Sequence, residues 1–183
     1  VEGFGFFYEY AKRADRMRTL CSRREYCRAD IFKKVSAALD GDTEKAAEIV
    51  ELLVKEKYID DLRYASAFAR DKSSIAGWGD VKIRYMLVAK GVSKDVVSEA
   101  LSEIDRGKAS GRLDKLMETK ARSLKDDPQV RLKLLRFGMG RGYAYEEVAE
   151  VTPSPEHTPP NTLLSISLYI RRLFQVFFST FLG

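Results

Sequence analysis

Histidine is almost missing from this chain: one in 183 residues, His157, inside the stretch PSPEHTPP. A Ser-His-Asp triad, a Cys-His pair or a multi-histidine metal site needs a histidine held on a rigid frame, which a proline-rich stretch does not offer. Cysteine is scarce as well. Cys21 and Cys27 are too few for a disulfide scaffold and match no zinc spacing, so a reduced, cytoplasmic setting is the plain expectation. Proline does not occur before Pro128, which frees most of the chain from the strongest helix breaker. There is no Gly-x-x-x-x-Gly-Lys-Ser/Thr phosphate loop. GWG (77–79) and GMGRG (138–142) lack the strand-to-helix setting of a dinucleotide fingerprint. Together these absences argue against an enzyme, and neither a metal nor a cofactor is expected.

What is present is helix. Apolar residues make up 45 % and charged residues 32 %, a composition that buries a core. DTEKAAEIVELLVKEK (42–57) puts Ala46, Ile49, Val50, Leu53 and Val54 on one helical face. SKDVVSEALSEI (93–104) does the same with Val96, Val97, Ala100, Leu101 and Ile104. Between them lies MLVAKGVSKDVV (86–97). It combines a helix end closed at Lys90 and Gly91 with a new helix headed by Ser93. This punctuation recurs. Asp30-Ile31 aligns with Asp80-Val81, Gly41 with Gly91, and Thr43 with Ser93, each fifty positions on, and Gly142 follows Gly91 by 51. A fixed period of this size marks stacked units, here about three tandem units of three helices each, an all-α fold. Asp60 or Asp61, Asp80, and Asp127 followed by Pro128, read as helix caps.

Charge repeats with the same period. Residues 11–35 carry nine Lys/Arg against three Asp/Glu, while 36–60 carry three against seven. Residues 61–90 carry six against three, 91–105 one against four, 106–142 eleven against four, and 143–152 none against three. Stacked side by side, such units place a basic ridge beside an acidic one. Lys82, Arg84 and Lys90 lie on the helix closing at Gly91; Arg131, Lys133, Arg136 and Arg141 lie on its counterpart before Gly142. Phosphate contact and plain solvation are both open to them. Trp78, the only tryptophan, either offers an aromatic face to a partner or fills the gap between two units.

Residues 1–14, an aromatic-rich N-terminal extension, precede the repeats at about 15–60, 61–105 and 106–152. A proline-rich linker, 153–160, leads to an apolar amphipathic stretch, 161–183, with Arg171 and Arg172 at its centre. Each arginine costs roughly 2.5–3.5 kcal/mol at a bilayer midplane, which argues against a membrane span. The N-terminus puts aromatics ahead of cations, the reverse of a signal peptide.

Four stretches in order then carry a resemblance: RREYCRADIFKKV, YIDDLRYASAFARD, GWGDVKIRYMLVAKGVSKDVVSEAL and LLRFGMGRGYAYEEVAEV. Over residues 15–152 the chain resembles the RecX family of bacterial recombination regulators. The resemblance implies a curved, elongated array and a non-enzymatic role. It implies binding to the RecA recombinase filament on single-stranded DNA and inhibition of its ATPase and strand exchange; a monomer is expected. Carried over by motif, the positions are Asp61, Arg63, Tyr64 and Ala65; Gly79, Lys82, Ile83, Arg84, Leu87, Lys90 and Gly91; and Arg136, Phe137, Arg141 and Gly142. Two departures stand out: Cys27, where the family has a serine cap, and Gly138, where an apolar helix former is expected. The alternatives are a helical-repeat protein that binds nucleic acid directly and a membrane-associated protein that uses residues 161–183 at a membrane interface.

Overall fold

The computed structural model describes residues 2–153. The apolar stretch 161–183, and the linker beyond Pro153, lie outside the described residues. Among those residues there are nine helices and no strand: α1 (Glu2–Cys21), α2 (Arg28–Ala38), α3 (Thr43–Lys55), α4 (Asp61–Ser74), α5 (Asp80–Ala89), α6 (Lys94–Ser102), α7 (Arg106–Ser123), α8 (Val130–Gly140) and α9 (Tyr145–Glu150). The all-α expectation holds.

Side-chain oxygens head several of these helices. Asp42 accepts from the Lys45 amide at 3.0 Å, and Asp60 from Leu62 and Arg63 at 2.9 and 3.1 Å. Ser93 accepts from Val96 at 3.4 Å, and Asp105 from Lys108 at 3.0 Å. Each such cap stabilises its helix by about 1 kcal/mol. Asp80 departs from expectation. Gly79 is the N-cap of α5, without a side-chain cap, and the Asp80 carboxylate instead pairs with Arg106. Asp127 accepts from Gln129 at 2.9 Å, and α8 begins at Val130 rather than at Pro128.

Three apolar clusters follow along the chain. The first joins Ala14 and Met17 of α1 to Ile31 and Val35 of α2 and Ile49, Val50 and Leu53 of α3. The N-terminal aromatic stretch is therefore partly core, with Tyr10 packed on this cluster. The second holds Ala65, Ala69, Ile83, Leu87, Val97 and Leu101, together with Cys27 from the preceding turn. The third holds Leu113, Met117, Leu134, Tyr143 and Val148.

The buried pairs Ile31/Val35, Ile83/Leu87 and Leu134/Gly138 set the register of the middle helices. Ile31 therefore aligns with Ile83 rather than with Val81. The fifty-residue match of Gly41 to Gly91 is real at the turn, but α2 closes with an extra bend. Asp40 and Gly41 both have positive φ there, at 53° and 91°. Asp42, not Thr43, is the partner of Ser93 as a cap.

Gly138 has its explanation in packing. A Cβ there would stand 2.6 Å from Val148 Cγ1, so the missing methyl is what lets α9 lie against α8.

Candidate interaction surface

The middle helices α2, α5 and α8 meet end to end. At the first joint, the opening of α2 sits on the closing turn of α5. The Arg28 amide donates to the Asp61 carboxylate at 2.8 Å. The Cys27 thiol points at the Lys90 carbonyl, 3.8 Å away, so the cysteine that caps no helix instead bridges two units. The Lys90 ammonium donates to Asp30 at 2.8 Å. Burial pushes the Asp30 carboxyl up, but the bonded ammonium of Lys90 outweighs it and leaves the pKa below the usual value. Asp30 in turn raises the pKa of Lys90 against the effect of burial.

At the second joint the same arrangement is made by backbone. The amides of Gly79 and Val81 donate to the carbonyls of Arg141 and Gly142, each at 3.0 Å. Two of the unpaired amides at the head of α5 thus find the negative end of α8. The approach needs glycine twice. A Cβ on Gly79 would collide with the Gly142 backbone, and one on Gly142, at φ +90°, would stand 2.7 Å from the Lys82 nitrogen. The Arg141 guanidinium closes the joint by donating to the Ala76 carbonyl at 3.1 Å.

A line of rings and cations runs between and beyond these joints. It starts at Lys90, whose ammonium lies 5.8 Å over the Tyr64 ring. Tyr64 stacks on Phe68 with centroids 6.2 Å apart, and Phe68 meets Trp78 at 6.4 Å. Lys72 covers Phe68 and Trp78 at 5.5 and 5.1 Å, and Lys82 covers Trp78 at 4.5 Å. Across the joint, Arg141 and Lys120 lie over Phe137 at 5.3 and 5.8 Å. Contacts of this kind are worth about 0.5–1 kcal/mol each where exposed. They also hold ammonium groups in place that would otherwise sweep through solvent. Trp78 is half-buried, packs on the second cluster within its own unit and carries two cations at once. Burial raises the Tyr64 phenol pKa, against the pull of Lys90.

The remaining candidates fall into two groups. Arg63 pairs with Glu25 at 2.7 Å and reaches the Lys57 and Tyr58 carbonyls. Arg131 donates to the Pro153 carbonyl at 2.6 Å, and Lys133 pairs with Asp127. These three are tied within the fold. Arg84 is exposed and donates to the Ser98 hydroxyl at 2.9 Å. Arg136 is exposed. The line also includes Phe68, Lys72 and Lys120, which sequence reasoning missed. The spacing of 64, 68 and 72 on one helix is the i, i+4 signal that could have found two of them.

Rows of three-helix units joined end to end, with a charged and aromatic surface across the joints, define a helical-repeat protein. Residues 60–101 match the model described as RecX, second three-helix domain. The chain is 30 % identical over 147 residues to Regulatory protein RecX of Mycobacterium ulcerans, covering 76 % of this chain and 84 % of that one. It is 35 % identical over 114 residues to Regulatory protein RecX of Clostridium botulinum (strain Eklund 17B / Type B), covering 60 % of this chain and 53 % of the relative. It thus spans about half the length of the clostridial relatives. The crystal structure of RecX from Lactobacillus salivarius superposes with a TM-score of 0.71 at 19 % identity, over 78 % of this chain and 93 % of that chain. The chain belongs to the RecX family of regulatory proteins.

Proposed function

We propose that this protein regulates the RecA recombinase by binding its filament on single-stranded DNA and lowering ATP hydrolysis and strand exchange. The observation that carries the reading is the line of ring-held cations, Lys72 and Lys82 over Trp78 and Arg141 and Lys120 over Phe137, laid across consecutive units of a RecX-family array. A surface of that length suits a repeating target, because each unit meets an equivalent part of it. The array acts by differential binding. It favours a filament state that hydrolyses ATP slowly, and its effect is limited by the difference in affinity between the two states. Ammonium groups held over rings suit phosphate and carboxylate alike, so the same line also supports direct nucleic-acid binding as a second reading.

The test titrates the protein into RecA assembled on single-stranded DNA and follows ATP hydrolysis, with a chain lacking residues 161–183 alongside. The expected result is inhibition at well below one molecule per recombinase protomer, kept in the shortened chain. Unchanged hydrolysis and no filament binding, with tight binding to the bare strand, would overturn it in favour of the second reading.

A further inference from the structure

The outward faces of α5 and α8 carry apolar side chains that the fold does not cover. On α5 these are Val81, Tyr85 and Val88, spaced i, i+4, i+7, with Tyr85 71 % exposed. On α8 the counterparts 51 residues on are Leu132, Arg136 and Met139, and Leu132 and Met139 are also exposed. The helix ends that carry the two stripes meet at the second joint. Val81 makes one of its hydrogen bonds, and Met139 accepts from Gly142 one turn away. Each stripe spans eight residues, seven helical steps or about 10 Å. Exposed apolar rows of this kind on a monomer mark interaction sites.

The two helices carry Lys82, Arg84, Arg131, Lys133 and Arg136 against one carboxylate, Asp80, which is held by Arg106. Lys133 pairs with Asp127 and Arg131 with the Pro153 carbonyl, so Arg84 and Arg136 are the exposed cations of these helices beside the stripes. We propose that this strip docks an acidic amphipathic helix of a protein partner. Its apolar residues would sit on Tyr85, Val88 and Met139, and its carboxylates would meet Arg84 and Arg136. Val81, Val88, Leu132 and Met139 give a phosphodiester chain neither a stacking face nor a donor, and Tyr85 is the strip's one ring, so the strip is mostly aliphatic where the ring-and-cation line is aromatic. The apolar stretch 161–183 carries Arg171 and Arg172 and no carboxylate side chain, so its charge is the wrong sign for the strip. The inference goes beyond the proposed function, since it stands whichever protein is regulated.

The test uses the full chain and three fluorescein-labelled 18-residue peptides, read by anisotropy. One has leucines at i, i+4, i+7, i+11 and glutamates elsewhere. One replaces the glutamates with lysines. One has the acidic composition with the leucines scrambled. The expected result is binding of the first at least tenfold tighter than of the other two. Tyr85→Ser and Arg136→Glu each weaken it at least fivefold with unchanged helical circular dichroism. Equal binding of the scrambled acidic peptide overturns the proposal, because charge alone would then suffice. So does indifference to Tyr85→Ser. Binding seen only after residues 154–183 are removed would overturn it too, by making that stretch the occupant. Self-association lost in Tyr85→Ser would give the strip to a second copy instead.

Discussion

The Asp30–Lys90 pair shows how one ion pair can be read at the level of single residues. Asp30 has a lowered pKa in the folded state, so its contribution is present above its unfolded value and lost as pH falls through the folded one. Lys90 has a raised pKa, so its contribution is present below its unfolded value and lost as pH rises through the folded one. Both side chains are partly exposed, and the pair is worth about 0.5–1 kcal/mol. Asp30→Asn should therefore lower stability by that amount at neutral pH. The deficit should vanish at acid pH below the normal carboxylate range, and shrink above the normal lysine range. Urea unfolding of both proteins across pH measures it. Neither member of the pair is legible as such in the sequence. Lys90 reads as a helix-end cation and Asp30 only as the repeat counterpart of Asp80, and only the end-to-end meeting of α2 and α5 brings residues sixty positions apart together. Cys27 shows the same limit. Sequence reasoning sees a poor cap, and the structure shows a thiol facing the Lys90 carbonyl of the next unit.

Among the elements, the apolar periodicity of α3 and α6 was largely legible, although Val54, Val96 and Ile104, expected on the same faces, are only partly buried and Ile104 lies beyond the end of α6. Ala46, Ile49, Val50 and Leu53, like Val97, Ala100 and Leu101, are buried as their spacing requires. The Ser93 cap and the Gly91 turn were legible for the same reason, since each has a side-chain or φ signature. The joints were not, because an amide donating to a distant carbonyl leaves no mark on residue identity. Gly79 and Gly142 then look like ordinary turn glycines. A pair of substitutions separates the two roles. Gly41 and Gly142 share φ near +90°, but a Cβ at Gly41 would meet nothing within 4 Å. Gly41→Ala should cost about 1–2 kcal/mol, the left-handed strain alone. Gly142→Ala adds the collision with Lys82 and should cost clearly more. It should also speed hydrogen exchange at the Gly79 and Val81 amides, while the Gly41 variant leaves those amides protected.

Taken as a whole molecule, the array couples neighbouring units by a few polar contacts around well-separated apolar clusters, so its surface matters more than any pocket. On the proposed function, Lys72→Gln with Lys82→Gln should weaken filament association and flatten its dependence on salt, by about one slope unit for each phosphate no longer neutralised. Their half-buried rings, Phe68 and Trp78, remain packed, so thermal stability should change little. Binding measured at several salt concentrations checks this. The end-to-end joints have one more consequence. Each sets the amide end of one helix on the carbonyl end of the next, always in the same sense, so the row of middle helices has a direction, as an arrow does. A head-to-tail polymer also has a direction. Laid along such a polymer, the two orientations of this array are not equivalent, and only one can match its partner's polarity.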